Sequence, residues 1–394
     1  MSVVLVVNSG SSSFKYQLIE MTTEETLASG LVERIGEETG RTKHTRDGES
    51  IEIEGPIPDH TAGFDAMIRA FDENGPSLSE FPPVAVGHRV VHGGKRFYEA
   101  TVVTDLVKIN IEDLSDLAPL HNPANLEGIE AAQKAFPDVP HVAVFDTAFH
   151  HTLPPEASTY AIPAELADKH RIRRYGFHGT SHKFVSEAAA AYLGRRRSDL
   201  TTIVLHLGNG ASVCAVDGGA SVETSMGMTP LEGLVMGTRS GDLDPAVVFH
   251  LARKAGLSID ELDAVLNRRS GLLGLSGRGD MRDVQEASEA GDEKAAAALE
   301  VYYHRLRHYI GAYYAQLGRV DAIVFTAGVG ENVPAVRAGA LRGLEGLGIE
   351  LDPERNAARD RGARRISTDD SRVAVLVIPT NEELEIARQS LSVV

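Results

Sequence analysis

The stretch VVLVVNSGSSSFKYQLIE, residues 3–20, places an apolar run on either side of a small polar tip. Both runs are rich in β-branched or aromatic residues, a composition typical of β-strands. The tip, Asn8 to Ser13, contains only Asn, Gly and Ser. Read alone, it could be a flexible linker, an ordinary turn, or a loop whose backbone N–H groups hold an anion.

The same plan returns in TTIVLHLGNGASVCAVDGG, residues 201–219, where two apolar runs again flank a tip of Gly, Asn and Ser. Both stretches predict β-hairpins. TAGVGEN, residues 326–332, also follows an apolar run and predicts a third glycine-rich turn. Three small-residue tips at strand ends argue against linkers and favour sites for an anion with many oxygens.

Elsewhere, strand-like runs alternate with amphipathic stretches, which predicts an α/β fold with ligands at strand ends. Two prolines in HHTLPPEAS, residues 150–158, indicate a domain boundary. We therefore expect an N-terminal domain of residues 1–149 plus a terminal helix, 383–394, and a C-terminal domain of residues 150–382. Each domain would carry one hairpin, with its tip at an interdomain cleft.

Composition narrows the possible partners. The chain has 394 residues, 42% apolar content and a formal net charge of -17, which argues against nucleic-acid and anionic-membrane partners. The single cysteine, Cys214, sits in an apolar run and suits core packing. VVLVV is too short for a signal peptide core or a membrane span, so we expect a cytoplasmic protein.

Several common catalytic motifs are absent. The sequence contains no Walker A loop, no complete G-x-G-x-x-G fingerprint, no G-x-S-x-G elbow and no H-E-x-x-H zinc motif. Oxygen ligands fit better than imidazoles, and Asn8, Asp146 and Glu382 could surround a hydrated Mg²⁺.

Four charged or titratable residues each allow two interpretations. Arg89, within VAVGHRVVHGG, is an anion clamp or one half of an internal salt bridge. Arg239, in a glycine-rich loop, is a donor to a phosphoryl group or a solvated arginine. Asp146 ends a strand and either points into a cleft or caps a helix, whereas His178 is a ligand contact or a polar core residue.

The chain resembles the acetate kinase family, within the superfamily of acetate and sugar kinases, chaperone ATPases and actin. The resemblance covers nearly the whole chain and rests on NSGSSSFKY (8–16), GHRVVHGG (87–94), FDTAFH (145–150), YGFHGTSH (175–182), HLGNGAS (206–212), TSMGMTPLEGLVMGTRSGDLDP (224–245), FTAGVGEN (325–332) and TNEE (380–383). It implies a two-domain actin-like ATPase fold with a duplicated, ribonuclease H-like core, ATP in the cleft, and a homodimer.

Roles carry over residue by residue from that resemblance. It implies metal binding by Asn8 and Glu382, and catalytic roles for Asp146, His178 and Arg239. It implies an acetate site formed by Arg89, Val91, Leu120, Phe177 and Pro230. The ATP-binding positions it implies are Lys15, His206, Leu207, Gly208, Asn209, Gly210, Asp280, Met281, Arg282, Gly328, Val329, Gly330, Glu331 and Asn332. Met281 stands between Asp280 and Arg282, where the family often has Phe or Val, and departs mildly from that pattern.

The implied reaction is reversible, Mg²⁺-dependent phosphoryl transfer from ATP to acetate, which gives ADP and acetyl phosphate; Mn²⁺ could replace Mg²⁺. Asp146 would act through the metal or through proton transfer. Kinases of propionate or butyrate are alternatives in the same family, since one methylene is worth only about 1 to 3 kcal/mol in an apolar pocket. An actin-like or chaperone-like ATP switch is the alternative from another class.

Overall fold

The computed structural model of the protein describes residues 2–394. Its strands are β1 Val3–Ser9, β2 Ser13–Glu20, β3 Glu25–Glu33, β4 Gly40–Arg46, β5 Glu49–Gly55, β6 Pro83–Val90, β7 Thr101–Val102, β8 His141–Phe145, β9 Thr201–Leu207, β10 Ala211–Asp217, β11 Ala220–Thr224, β12 Ala322–Thr326, β13 Arg364–Arg365 and β14 Ala374–Val377.

The helices are α1 His60–Asn74, α2 Asp105–Asp113, α3 Asn122–Ala135, α4 Pro155–Ser158, α5 Ala164–Lys169, α6 Gly179–Tyr192, α7 Ala246–Ala255, α8 Ile259–Arg268, α9 Gly271–Ser276, α10 Met281–Glu289, α11 Glu293–Leu317, α12 Ala327–Asn332, α13 Pro334–Leu341, α14 Pro353–Ala357 and α15 Glu382–Leu391. Short 3-10 turns cover Leu114–Asp116, Ala148–Thr152, Arg197–Asp199 and Glu345–Leu347.

The chain divides into two compact units. Unit 1 comprises the residues up to Phe149 together with Asn381–Val394, and unit 2 comprises His150–Thr380. The C-terminal helix α15 therefore belongs with the N-terminal part of the chain.

Unit 1 is built on an eight-stranded sheet in the order β5-β4-β3-β2-β1-β6-β8-β7. Strands β1 to β5 pair as an antiparallel meander, β1, β6 and β8 are parallel, and the two-residue β7 closes the edge antiparallel to β8. The predicted first hairpin is confirmed, with Val3 opposite Glu20 and Ser9 opposite Phe14.

Unit 2 repeats this plan in a six-stranded sheet ordered β11-β10-β9-β12-β14-β13. Its first three strands are antiparallel, β9, β12 and β14 are parallel, and the short β13 is antiparallel to β14. Strand for strand, this matches β3-β2-β1-β6-β8-β7 of unit 1. The duplicated core that the sequence echo predicts is therefore confirmed.

The parallel strands of both sheets are largely buried, as strands covered on two faces require. Every residue of β8, β9, β12 and β14 is buried. Gly87 of β6 allows α15 to lie close, because a Cβ at that position would stand 2.5 Å from Ser390 Oγ and 2.9 Å from Ile386 Cγ2. The sheets thus fix the strand ends at which the candidate functional residues lie.

The prediction of a turn at TAGVGEN is wrong, because the segment forms helix α12 directly after β12. Ala327 reverses the chain with a φ of 63°, a left-handed conformation that is uncommon outside glycine. The buried Arg337 then donates from Nη1 to the carbonyls of Gly330 and Glu331, at 2.8 and 3.0 Å. These bonds satisfy carbonyls that the end of a short helix leaves unpaired.

Within residues 2–394, no helix combines the length and the apolar character that crossing a membrane requires.

Candidate active site

Unit 1 contains a cavity of about 230 Å³ at the carboxyl end of β1. Its lining joins residues from the hairpin tip, from the end of β6 and from the start of α3: Asn8, Ser9, Gly10, Ser13, Lys15, Arg89, Val91, Leu120, His121 and Asn125. The structure thus brings together five of the predicted residues, Asn8, Lys15, Arg89, Val91 and Leu120.

The hairpin tip is held in place by backbone and amide hydrogen bonds. Asn8 lies opposite Lys15 in the β1–β2 register, and Gly10 N donates to Ser13 O at 2.8 Å. The buried Asn125 donates from Nδ2 to Ser9 O at 2.7 Å and accepts from Val91 N at 3.0 Å. Asn125, which sequence reasoning missed, therefore ties the tip to the strand end that follows Arg89.

Arg89 and Asp146 form a bidentate ion pair. Arg89 donates from Nη2 and Nε to the Asp146 carboxylate at 2.7 and 2.9 Å, and the Asp146 side chain is only 3% exposed. The Asp146 charge raises the pKa of Arg89. Nη1 of Arg89 has no partner within residues 2–394, and the side chain lines the cavity. Arg89 is therefore both a salt-bridge residue and a candidate anion clamp.

Glu382, at the start of α15, interacts electrostatically with Arg89, Asp146 and Lys15. Burial raises its pKa, the nearby Asp146 raises it further, and Arg89 and Lys15 offset part of this effect. Such a carboxylate suits a hard cation, and Asn8 offers an amide oxygen. Among residues 2–394 there is no cluster of three or more His, Cys, Asp or Glu side chains suited to a metal. These few oxygens fit Mg²⁺, which typically keeps waters and takes phosphate oxygens as further ligands.

In unit 2 the second hairpin tip, Gly208 to Gly210, lies against the loop that carries Arg239. Gly237 N donates to Asn209 O at 3.0 Å, and Gly208 N donates to Gly210 O at 3.0 Å. A Cβ at Gly210 would stand 3.4 Å from Arg239 Nη1 and 3.7 Å from His178 Nε2. The structure thus brings together three predicted residues, Gly210, Arg239 and His178.

Arg239 is partly buried, and no acidic side chain pairs with it in the described part of the chain. Nη1 donates to Pro230 O at 3.1 Å. Burial lowers the pKa of its guanidinium. A partly buried guanidinium without a counter-ion attracts an anion, which favours the interpretation of Arg239 as a donor to a phosphoryl group over that of a solvated loop residue.

His178 belongs to a buried network of hydroxyls and imidazoles. The Ser212 hydroxyl lies 2.9 Å from His178 Nδ1 and 2.7 Å from His182 Nε2. His182 Nδ1 has no hydrogen-bond partner in the described residues. An unpaired lone pair is cheaper than an unpaired N–H. His182 therefore donates from Nε2 to Ser212, Ser212 donates to His178 Nδ1, and the proton of neutral His178 stays on Nε2.

Unit 2 contains a cavity of about 400 Å³ next to the Gly208–Gly210 tip. It is lined by Gly208, Asn209, Gly237, Leu272, Gly279, Asp280, Met281, Arg282, Tyr302, Gly328, Val329, Asn332 and Val333. Eight of these residues, at positions 208, 209, 280–282, 328, 329 and 332, are nucleotide positions that the resemblance implies. Gly237, Leu272, Gly279, Tyr302 and Val333 were missed. Only Gly237 and Gly279 had a sequence signal, as glycines in loops.

Asp280 and Arg282 form the polar rim of this cavity. Asp280 accepts from Arg282 Nη2 at 2.7 Å and from Arg282 N at 2.8 Å, and these bonds lower the pKa of Asp280 to about 2. Both side chains are substantially exposed.

The other predicted ATP positions do not line the cavity. His206 and Leu207 are buried at the end of β9, and His206 Nδ1 lies 2.8 Å from Ser181 Oγ. Gly330 lies in α12, and the Glu331 carboxylate accepts from Thr380 N at 3.2 Å. His206, Leu207, Gly330 and Glu331 therefore belong to the segments around the cavity and not to its lining.

The predicted acetate residues fall in both units. Val91 and Leu120 line the unit 1 cavity, where Leu120 is 54% exposed. Phe177 and Pro230 belong to unit 2. The buried Phe177 accepts from His150 Nε2 at 2.9 Å through its carbonyl.

The Acetokinase family model matches residues 3–388. The chain belongs to the acetokinase family. It is 69% identical over 394 residues to an acetate kinase of Leifsonia xyli subsp. xyli, covering 100% of this chain and 99% of that protein. It is 71% identical over 392 residues to an acetate kinase of Clavibacter michiganensis subsp. michiganensis, with the same coverage.

Solved structures of this family confirm the fold. The crystal structure of Porphyromonas gingivalis acetate kinase matches with a TM-score of 0.96 and 42% identity over 100% of both chains. A propionate kinase from Francisella tularensis subsp. tularensis matches with a TM-score of 0.94 and 41% identity, also over 100% of both chains. The predicted acetokinase resemblance and the predicted two-domain actin-like ATPase fold are therefore confirmed.

Buried histidines in this acetokinase predict a loss of stability in mild acid. Burial lowers the pKa of His150 to about 4 and that of His182 well below its usual value. A histidine in the unfolded chain has a pKa of ~6.5, so the unfolded chain takes up protons before the folded chain does as the pH falls. The contribution of these two neutral histidines to the free energy of unfolding is therefore fully present above pH ~6.5 and decreases as the pH falls toward 4. His150 alone should remove about 2 kcal/mol of unfolding free energy at pH ~5.

Urea unfolding between pH 7.5 and 5 measures this loss. His150→Asn should reduce the pH dependence, while replacement of the exposed His250 by Asn should leave it as in the wild type. Equal stability at pH 7.5 and 5 would contradict the prediction.

Proposed function

We propose that this chain is an acetate kinase that transfers the γ-phosphoryl group of ATP to acetate, reversibly and with Mg²⁺. The observation that carries the proposal is Arg239, a partly buried guanidinium without a counter-ion beside a glycine tip. It occurs in a chain whose family match covers residues 3–388.

In the proposed reaction, unit 1 binds acetate. Arg89 Nη1 is available for the substrate carboxylate, and Val91 and Leu120 supply apolar surface for the methyl group. Acetate titrates at roughly 4 to 5, as side-chain carboxyls do, so it is already a nucleophile at neutral pH and needs no general base. The ion pair with Asp146 then has the task of orienting Arg89.

Unit 2 supplies the groups that stabilise the phosphoryl group. Arg239 offers a positive charge beside His178, and the Gly208–Gly210 tip offers backbone space. Fixed donors of this kind offset the repulsion between an anionic nucleophile and an anionic phosphoryl group. Lys15 adds positive charge next to Asn8 in the first hairpin.

Nucleotide binding is proposed for the 400 Å³ cavity and its neighbouring loops. Leu272, Met281, Tyr302 and Val333 provide buried surface that suits a base, and Asp280, Arg282 and Asn332 provide polar groups. Asn8 and Glu382 are proposed to hold Mg²⁺, which would neutralise phosphate charge when bound. Asp146 is proposed to assist by orienting that metal, directly or through water.

We also propose a cytoplasmic homodimer. Helix α7 has no buried residue, and it exposes the apolar side chains of Val247 and Phe249. A subunit contact would remove such a surface from water. Light scattering of the purified chain measures its molar mass in solution, which we expect to be that of a dimer.

A series of short-chain acids tests the proposed function. With ATP, Mg²⁺ and hydroxylamine to trap acyl phosphate, we expect fast product formation with acetate in the absence of any partner protein. The value of kcat/KM should decrease from acetate to propionate to butyrate. Higher kcat/KM for propionate would favour the function named for the Francisella relative, and slow ATP hydrolysis without acyl phosphate would favour a switch protein.

Replacing Arg239 by Ala should lower kcat by roughly 10³ to 10⁵-fold, by analogy with arginine fingers. The physical reason is the loss of a charged donor beside His178 and Gly210. Steady-state kinetics with acetate measures the effect, and circular dichroism checks the fold. Arg361→Ala, at an exposed position between α14 and β13, is the matched control. A loss below tenfold in a folded variant would refute the role.

Replacing Asp146 by Asn should lower kcat and raise KM for acetate, because Arg89 loses the charge that orients it. If Asp146 also orients the metal, raising the Mg²⁺ concentration should restore part of the activity. Asp138→Asn, at an exposed position, serves as the control. An activity loss that depends on pH and not on Mg²⁺ would instead indicate proton transfer.

A further inference from the structure

The side chain of His60 lies behind the first hairpin tip. His60 is the first residue of α1, its side chain is only 7% exposed, and its Nε2 lies 2.9 Å from Gly10 O. A carbonyl oxygen can only accept, so Nε2 carries a proton and donates. Gly10 lines the 230 Å³ cavity, whereas His60 is not part of that lining. His60 therefore acts on the cavity through the backbone of Gly10.

Hydrogen bonds within unit 1 occupy most of the carbonyls of this tip. Four carbonyl oxygens accept from protein donors, those of Ser9, Gly10, Ser12 and Ser13. By contrast, the backbone N–H groups of Ser11 and Ser12 find no acceptor among residues 2–394, and both residues are exposed. The acceptors of the tip are thus occupied, and two of its donors are left for water or an anion.

The bond to His60 also fixes the direction of the Ser11 N–H. Gly10 O and Ser11 N belong to one peptide group, which is planar and trans, so its C=O and N–H point in opposite directions. With the carbonyl bound to His60, the Ser11 N–H points away from α1. Glycine restricts its own backbone little, so without this bond the peptide would be free to turn and present its carbonyl, which repels an anion.

The position of the His60 ring is itself well determined. The Asp59 carboxylate caps α1, and Phe14 of β2 stacks on Phe64 of α1 with ring centroids 4.7 Å apart. These contacts fix the start of α1 against the hairpin. Glu127 adds little, because its side chain is 65% exposed and its carboxylate lies 3.6 Å from His60 Nδ1.

We propose that His60 is a positioning residue, which locks the Gly10–Ser11 peptide so that the Ser11 N–H donates to a phosphoryl oxygen. The inference rests on the function proposed above, because that function brings phosphoryl groups to this tip. A phosphoryl group suits it, since each of its oxygens accepts hydrogen bonds and Lys15, which lines the same cavity, adds positive charge.

His60→Leu and His60→Gln separate the lost bond from the lost ring, because Gln places an amide N–H near the position of Nε2 and Leu has no donor. In His60→Leu we expect kcat/KM for ATP to fall roughly 10- to 100-fold, the size of a hydrogen bond to a charged group. In His60→Gln it should stay within about threefold. Adenosine has no phosphate and should bind both variants as it binds the wild type. Equal losses in the two variants would contradict the proposal.

His44 provides the matched control, because it makes the same kind of bond at the other end of α1. Its ring is buried, and its Nε2 donates to Gly75 O at 2.8 Å. The 15 residues of α1 separate the two ends by about 22 Å. His44→Leu should lower the free energy of unfolding and leave kcat/KM for ATP within about twofold. A fall as large as that in His60→Leu would show general destabilisation and refute the positioning role.

A phosphate titration tests the peptide lock without any turnover. In protein labelled with ¹⁵N-serine, Ser11→Ala identifies the Ser11 signal by its loss. Inorganic phosphate should move the Ser11 amide proton downfield in the wild type and in His60→Gln, and less than half as far in His60→Leu. A Ser11 signal that does not respond in the wild type, or responds equally in His60→Leu, would overturn the proposal.

This titration stays decisive if His60→Leu does not fold. His60→Asn then takes its place, since its amide is too short to reach Gly10 O, and the response of the wild type needs no variant. Phosphate binding also requires neither ATP nor acetate. An inactive wild type whose Ser11 signal responds to phosphate, with a smaller response in the His60 variant, would refute the proposed kinase activity alone.

Discussion

A guanidinium held out of water without a carboxylate partner is the constraint on which the unit 2 site depends. Partial burial lowers the pKa of Arg239, because it removes part of the water that would solvate the charged form. A neighbouring carboxylate would relieve this, but it would also neutralise the charge that an anionic ligand needs. The chain instead holds Arg239 with a neutral carbonyl, that of Pro230, and fixes the loop around it.

The surrounding loop is fixed by charged groups placed away from Arg239. Arg174 donates from Nη1 to the carbonyls of Thr224, Ser225 and Met226, and from Nη2 to Glu232 at 2.6 Å. The Tyr160 hydroxyl also donates to the Glu232 carboxylate. Residues before and after Pro230 are thereby anchored through an ion pair that leaves Arg239 unneutralised. Arg174, Glu232 and Tyr160 therefore hold the loop in place without giving Arg239 a carboxylate partner.

The limits of sequence reasoning follow from the range of the interactions. Strands such as β9 were predictable because β-branched, apolar runs carry their own signal, and the echo of the two hairpins revealed the duplication. Arg89 left two interpretations open, since its distance from Asp146 depends on the β6–β8 pairing. Helix α12 was missed because it depends on the left-handed Ala327 and on hydrogen bonds from the Arg337 side chain, neither of which the residue pattern reveals. Tyr302 had no local signal, because an apolar helix face looks the same whether it borders a core or a cavity.

The duplicated hairpins show how one backbone plan supports two kinds of tip. In both, three residues separate the paired strands, and a short backbone bond closes the loop: Gly10 N to Ser13 O, and Gly208 N to Gly210 O. The first tip leaves Ser11 and Ser12 exposed, so hydroxyls are available to a ligand. The second lies against the Arg239 loop, where Asn209 O accepts from Gly237 N, and a Cβ at Gly210 would stand 3.4 Å from Arg239 Nη1. Because a neighbouring loop supplies the charge there, glycines suffice at that tip, whereas the first tip needs its own serines and Lys15.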